Sequence, residues 1–439
     1  MSVKTLCQHL AEYVVSLRPQ ALPSEVIGKS KSIVLHNLAI SFGGVGTDQV
    51  NKALVLVDGY QGAATMVGQP FKANAAEAAF VNTVAVRALR MEDMLIPSMC
   101  HPGACLVPAA LALAEQHATS GIEMLAAIVI GYDVIGKVAG SLYSWDTSGR
   151  TPSHIYNALG VAAAAAKLMR LDAEQTASAL AHACNLGALL TEGIQDFQYG
   201  VLTHNGMFAA RLGEVRAPFP ADALEGPHGL FAVQLGGLRP SSEEILGTLG
   251  TRFEILSAVL KPHPCTGSNL VPIEILRREI LAHSLTAERI ERVTVLRANS
   301  YAREPPDSYG PFGGYLGGMY EATSSLPFAL ATVMVDGEIT HAHFLDPNDP
   351  RIAAVIRRIV IEFSDDLGLL DHKLIIRTRD GRTIEARGGG ELLPKPNDAA
   401  ILEKYALPIV GATQVQQLQE RVAQLDSASS VLPLAQCLA

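Results

Sequence analysis

The feature that most constrains this chain is a change of hydrophobic period near residue 260 that reverses near residue 397. From residue 1 to about 258, apolar residues recur at helical spacing in SEVIGKSKSIVLHNLAISFGG, PAALALAEQHATSG and ALGVAAAAAKLMRLDAEQTASALAHACNLGALL. The first of these opens on a Ser cap with a Glu nearby and closes on Gly-Gly. After Lys261, ERIERVTVLRANSYA and VIRRIVIEFSDD alternate like strands, and DHKLIIRTRDGRTIEARGGG reads as a hairpin turning at Asp-Gly. Helical spacing returns in NDAAILEKYALPIV and TQVQQLQERVAQLDSA, while the tail after 425 reads as loosely held. A mainly α protein follows. Residues 1–258 and 397–439 form an all-helical bundle from both chain ends, residues 259–396 form an inserted, smaller α+β domain, and a site is expected between them.

With 439 residues, 49% of them hydrophobic, the chain has ample material for a large core. Its 38 glycines, many alanines and few aromatics suit helices in close contact and further burial in a homodimer. The net charge of -9 is spread without a basic stripe, so no nucleic-acid partner is expected. Six cysteines form no CxxC pair, and those at 100 and 105 flank His101 at a spacing of no common zinc pattern. They read as reduced thiols of a cytoplasmic protein. The N-terminal MSVKTLCQHLAEYVVSLRP reads as an amphipathic helix rather than a signal peptide. Residues 124–143 come nearest to a membrane span, but Asp133 and Lys137 interrupt them one turn apart. A buried helix with an ion pair is expected, and no membrane partner.

The densest chemistry lies in RMEDMLIPSMCHPGA, residues 90–104, where Pro97 and Pro102 force a loop carrying Arg90, Glu92, Asp93 and His101. His101 reads as a loop hydrogen bonder, with an acid or base as the other reading. The Gly-rich YGPFGGYLGGMY, residues 309–320, lacks the GK[ST] of a phosphate loop and reads as a mobile loop over a cleft, with Tyr309, Tyr315 and Tyr320.

Eight segments occur in order: AAFVNTVAVRALRMED, HPGACLVPAALALAE, IVIGYDV, LGVAAAAAKLMRLDAEQ, HNGMFAARLG, DALEGPHGLF, KPHPC and SSLPFALATVMVDGEIT. Together they resemble the MmgE/PrpD family, which includes 2-methylcitrate dehydratase, cis-aconitate decarboxylase and iminodisuccinate epimerase. The resemblance implies a helical domain, an inserted α+β lid, a homodimer and an interdomain cleft that works without metal or organic cofactor. It also implies a small carboxylate substrate and proton abstraction beside a carboxylate or carbonyl, with donors or cations over the oxygens.

The chain departs from the family pattern at several points. Relatives commonly carry Asp-x-Asp-Asp-Ser/Thr before His-Pro, and here the run begins at Arg90 and ends at Met94. The family's His-Pro-Thr is Thr151-Pro152-Ser153, with His154 and Tyr156 close by. Its Thr-Lys-x-x-His-x-Gly turn has Gln195 at the lysine and Tyr199 just before the glycine. Lys261 and His101 keep their places, and Thr266 stands where relatives often have histidine.

The resemblance therefore makes His101, Lys261, His154 and Tyr156 the catalytic candidates. Arg90, Asp93, Thr151, Gln195, Tyr199, His263 and Thr266 are the substrate-binding ones, and Thr266 to Ser268 stand where a helix N-terminus would attract anions. Each also has a plain structural reading: Lys261 as a solvated lysine, Arg90 as a partner of Glu92 or Asp93, His154 and Tyr156 as hydrogen bonders at a helix entry. Three functions stand open. They are a cofactor-independent lyase or isomerase acting on a small carboxylate, an enzyme of the same fold with a less anionic substrate, and a non-catalytic binding homologue.

Overall fold

The computed structural model describes residues 4–57, 61–98, 100–141, 156–187, 195–234, 240–299, 301, 319–393 and 395–439. It is mainly helical with small sheets. Two compact units are formed, Met1–Leu260 with Asn397–Ala439, and Lys261–Pro396.

The first unit is built from α1 (Leu6–Ser16), α2 (Ser24–Gly44), α3 (Asp48–Val55), α4 (Ala75–Ala88), α5 (Gly103–His117), α6 (Gly121–Gly140), α7 (Asn157–Leu168), α8 (Ala173–Leu186) and α9 (Gln195–Glu214). Local chemistry starts several of them. Thr5 with Gln8, Ser120 with Glu123, and Asp172 with Gln175 form reciprocal capping boxes that satisfy otherwise orphaned N–H groups. Helix α2 lacks the Ser cap expected of it: Ser24 is already helical, and Pro23 precedes it without a side-chain cap. Small residues then set the packing distance. A Cβ on Gly160 would stand 2.8 Å from the Gly131 carbonyl, so α6 and α7 meet backbone to backbone.

Helix α6 is buried along nearly its whole length, and no described helix is long and apolar enough to cross a membrane. Its two charges do not pair with each other. Asp133 accepts from Tyr13 Oη and from the Glu254 N–H at 2.7 Å, and Lys137 Nζ lies 3.0 Å from Glu254 Oε1. Side chains from α1 and the 248–254 segment supply better geometry than a partner one turn away.

The return helix, Asp398–Ala423, packs along α2. The tail beyond it is docked, contrary to the loose end expected. Gly121 N donates to Ala428 O at 2.9 Å, Val431 N to Thr119 O at 3.1 Å and Gly68 N to Leu438 O at 2.7 Å, while Leu434 and Leu438 are buried.

The second unit carries a four-stranded sheet of β1 (Ile290–Ala298), β2 (Ile359–Ser364), β3 (His372–Thr378) and β4 (Thr383–Gly388), in the order β2-β1-β3-β4. The β1/β2 pair is parallel and the others antiparallel, with Val293 opposite Ile359 and Val295 opposite Leu374. Alternation along β3 buries His372, Leu374, Ile376 and Thr378. Gly381 at φ 86 turns the β3/β4 hairpin in the left-handed region that glycine enters without strain. Helix α10 (Leu270–His283) packs against β3 and β4.

Candidate active site

The site is built from the chain between α4 and α5. Helix α4 ends at Ala88, and Arg90 takes φ 55, a left-handed conformation costing a non-glycine residue about 1 kcal/mol. Met94 and Leu95 then pair antiparallel with Val259 and Ala258, and Leu95 N donates to Cys100 O at 2.8 Å. His101 and Pro102 lead directly into α5.

Asp93 sits at the bottom of this loop, fully buried. It accepts from Tyr132 Oη at 2.5 Å, from Gly103 N at 3.3 Å and from Asn37 Nδ2 at 3.4 Å. Burial pushes its carboxyl up, opposed by the Tyr132 hydrogen bond and the charge of His36. The glycine of His-Pro-Gly is required by this packing. A Cβ on Gly103 would lie 2.1 Å from Asp93 Oδ1 and 2.8 Å from Tyr132 Oη.

Above Asp93 lies a paired set of charges. Arg87 Nη1 donates to Glu92 Oε1, with side chains only 1% and 2% exposed, and the guanidinium stacks 4.0 Å from the centroid of the Tyr199 ring. Arg90 Nη2 lies 3.1 Å from Asp196 Oδ1, in the first turn of α9 where a carboxylate also meets the helix dipole. Arg90, read from the sequence as a partner of Glu92 or Asp93, thus meets a carboxylate on α9.

His101 is the most exposed of the charged or titratable side chains described in this cluster, at 18%. Its Nδ1 lies 2.8 Å from the Asp93 carbonyl and 3.6 Å from Glu92 Oε1, and its ring is 6.2 Å from that of Tyr199. A carbonyl only accepts, so Nδ1 carries the proton and the neutral ring holds its lone pair on Nε2. The arrangement suits proton transfer at Nε2, with Asp93 O and Glu92 stabilising the charged ring. Thiolate chemistry is disfavoured here, since burial pushes the Cys100 and Cys105 thiols up to about 12. Among the described residues, no group of three His, Cys, Asp or Glu side chains is placed to hold a metal ion.

The structure gathers His101, Asp93, Arg90 and Tyr199 from the expected set. Tyr156 is buried in the core beside α7 near Cys100, and burial pushes its hydroxyl up. Thr151, His154, Tyr309 and Tyr315 lie outside the described residues, as do the side chains of Gln195 and Tyr320. In the second unit, Lys261 is buried rather than solvated and donates to Cys265 O at 3.1 Å. His263 is buried and held neutral, its pKa pushed down to about 4 by burial and by Arg277 and Lys261. Thr266 is half-buried, its N–H bound to Thr323 O at 2.9 Å, and it precedes a single 3-10 turn before α10. Sequence reasoning missed Arg87, Tyr132 and Asn37. Each lies in an apolar helical run whose pattern gives no sign of which polar group it meets.

A sequence profile of the MmgE/PrpD N-terminal domain matches residues 8–243, more than half of the chain. A cis-aconitate decarboxylase-like protein of Aspergillus oryzae is 24% identical over 97% of this chain and 95% of its own. The cis-aconitate decarboxylase of Aspergillus terreus is 23% identical over 98% and 95%, and that of Mus musculus 26% identical over 88% and 82%. The extent of the profile match, which takes in every helix that builds the loop around His101, places the chain in the MmgE/PrpD family.

Proposed function

We propose that the protein is a lyase or isomerase that moves a proton at a carbon beside a carboxylate of a small organic acid, with His101 as the acid or base. The observation that carries this reading is the part-exposed His101 ring, fixed through Nδ1 by the Asp93 carbonyl beside the buried Glu92 carboxylate. The decarboxylase relatives make a decarboxylation the leading form of the reaction. When carbon dioxide leaves, the C–C bond electrons stay on the substrate, and a protonated His101 returns one proton to carbon. The same imidazole run in the other direction supports dehydration or epimerisation.

Lys261 is the carboxylate-binding candidate of the inserted unit, and a homodimer, a cytoplasmic location and independence of metal and cofactors belong to the same proposal. A second reading, a less anionic substrate, is favoured by one observation. Both arginines of the first unit's cluster are engaged by protein carboxylates, Arg87 by Glu92 and Arg90 by Asp196.

Proton NMR in D2O with cis-aconitate, citrate, methylcitrate, itaconate and malate separates these readings. Deuterium at an α carbon or a new alkene signal, absent in His101→Ala, is expected. Turnover unchanged in His101→Ala would overturn the assignment of His101. No reaction with any acid of the panel would favour the less anionic substrate.

A further inference from the structure

Helix α2 presents Lys29, His36 and Asn37 on one face, and each holds a different piece of chain around residues 91–95. Lys29 Nζ donates to Ala258 O at 2.6 Å, in the strand that pairs with Met94 and Leu95. His36 Nε2 lies 2.8 Å from Met91 O, and its Nδ1 lies 2.8 Å from Asp398 Oδ1. Asn37 Nδ2 reaches Asp93 Oδ1. The segment is thus tied at one end beside Leu260, where the chain leaves the helical unit, and at the other beside Asn397, where it re-enters.

His36 is the fully buried centre of this arrangement. A carbonyl and a carboxylate both accept, so each ring nitrogen of His36 faces an acceptor, Asp398 on one side and the Met91 carbonyl on the other. Asp398 occupies the first turn of the return helix, whose N–H groups add to its hold, and Asn397 caps that helix independently through Ala400 N.

We propose that His36 is a positioning residue: clamped between Asp398 and the Met91 carbonyl, it fixes the 91–95 segment whose Asp93 carbonyl orients His101. Met91 lies two residues before Asp93, so a shift at one reaches the other through a single intervening residue. A displacement of about 1 Å at a reacting group can lower a rate about a hundredfold. That kinetic consequence rests on the proposed role of His101, whereas the clamp itself is tested without turnover.

The experiment compares His36→Ala, Asp398→Ala and Asp398→Asn in the full chain. It follows amide exchange at Leu95 and the NMR titration of the His101 Cε1 proton, assigned with His101→Ala. In the two alanine variants, Leu95 is expected to exchange about tenfold faster. The His101 midpoint is expected to fall by about half a unit, because the Asp93 carbonyl and Glu92 carboxylate that favour the charged ring move away. Asp398→Asn keeps an acceptor oxygen and is expected to restore both signals.

Variants that lose thermal stability while leaving Leu95 exchange and the His101 midpoint unchanged would overturn the clamp. So would Asp398→Asn behaving like Asp398→Ala. If His36→Ala does not fold, the Asp398 pair decides alone. A protein that turns over none of the acids still gives both readouts, so failure of the clamp and failure of the proposed reaction are told apart.

Discussion

The two units surround particular buried titratable groups in opposite ways. The helical unit buries carboxyls, Asp133 and Asp93, each surrounded by hydroxyl or N–H donors. The inserted unit buries imidazoles, His263 and His372, whose Nε2 atoms have no hydrogen-bond partner among the described residues. Burial pushes Asp133 up to about 6, and pushes His263 down to about 4 and His372 to about 3. The difference teaches that these two buried carboxyls are met by fixed donors, while these two buried imidazoles each keep a ring nitrogen without a partner among the described residues.

The largest expected effect tests the paired side of this contrast. Arg87→Met leaves the Glu92 carboxylate buried beside Tyr199 and should cost about 3–5 kcal/mol in denaturant unfolding. Adding Glu92→Leu removes the orphaned charge and should recover most of the loss. If the double variant is as unstable as the single, the pair is not the unit of stability.

Acidification should separate the two units. The Asp133 pKa is raised, so its contribution is full below the unfolded value and lost as pH rises through about 6. The His263 pKa is lowered, so its contribution is full above the unfolded value and lost as pH falls through about 4. Each is on the order of 3 kcal/mol at its limit. Between pH 7 and about 4.5, hydrogen exchange corrected for intrinsic rate should show protection falling in β1 and β3 relative to α6. Equal changes in both units would break the comparison, and His263→Gln should flatten the response of the inserted unit.

A smaller effect is expected at Gly103. Gly103→Ala forces Asp93 and Tyr132 apart and should destabilise by about 1–3 kcal/mol, with loss of any His101-dependent turnover. The least change is expected at Ser268, a buried residue whose hydroxyl has no partner among the described residues. Ser268→Ala should shift stability by about 0.5 kcal/mol or less, measured by thermal unfolding, since no hydrogen bond is lost. A cost as large as that at Arg87 would show that the Ser268 hydroxyl is engaged in a hydrogen bond.

The sequence by itself determined much of the secondary structure. Helical period up to the end of the first unit, period two in β1 to β3, and Asp-Gly at the hairpin are local signals, and the backbone follows them. Local signals also misled, at Ser24 and in the tail, where distant contacts outweighed capping and polarity. The family motifs led to His101 and Asp93, because the His-Pro-Gly run is contiguous.

Only the tertiary structure decided which charge meets which. Arg87 meets Glu92 across a helix end, Arg90 turns to Asp196, and Asp133 binds Tyr13 rather than Lys137. His36 finds partners on two segments far apart in the chain. The physical reason is range. A residue's neighbours within one or two turns set its backbone, whereas a buried charge is satisfied by whichever donor or acceptor the packed helices bring within 3 Å or so, and no local pattern encodes that choice.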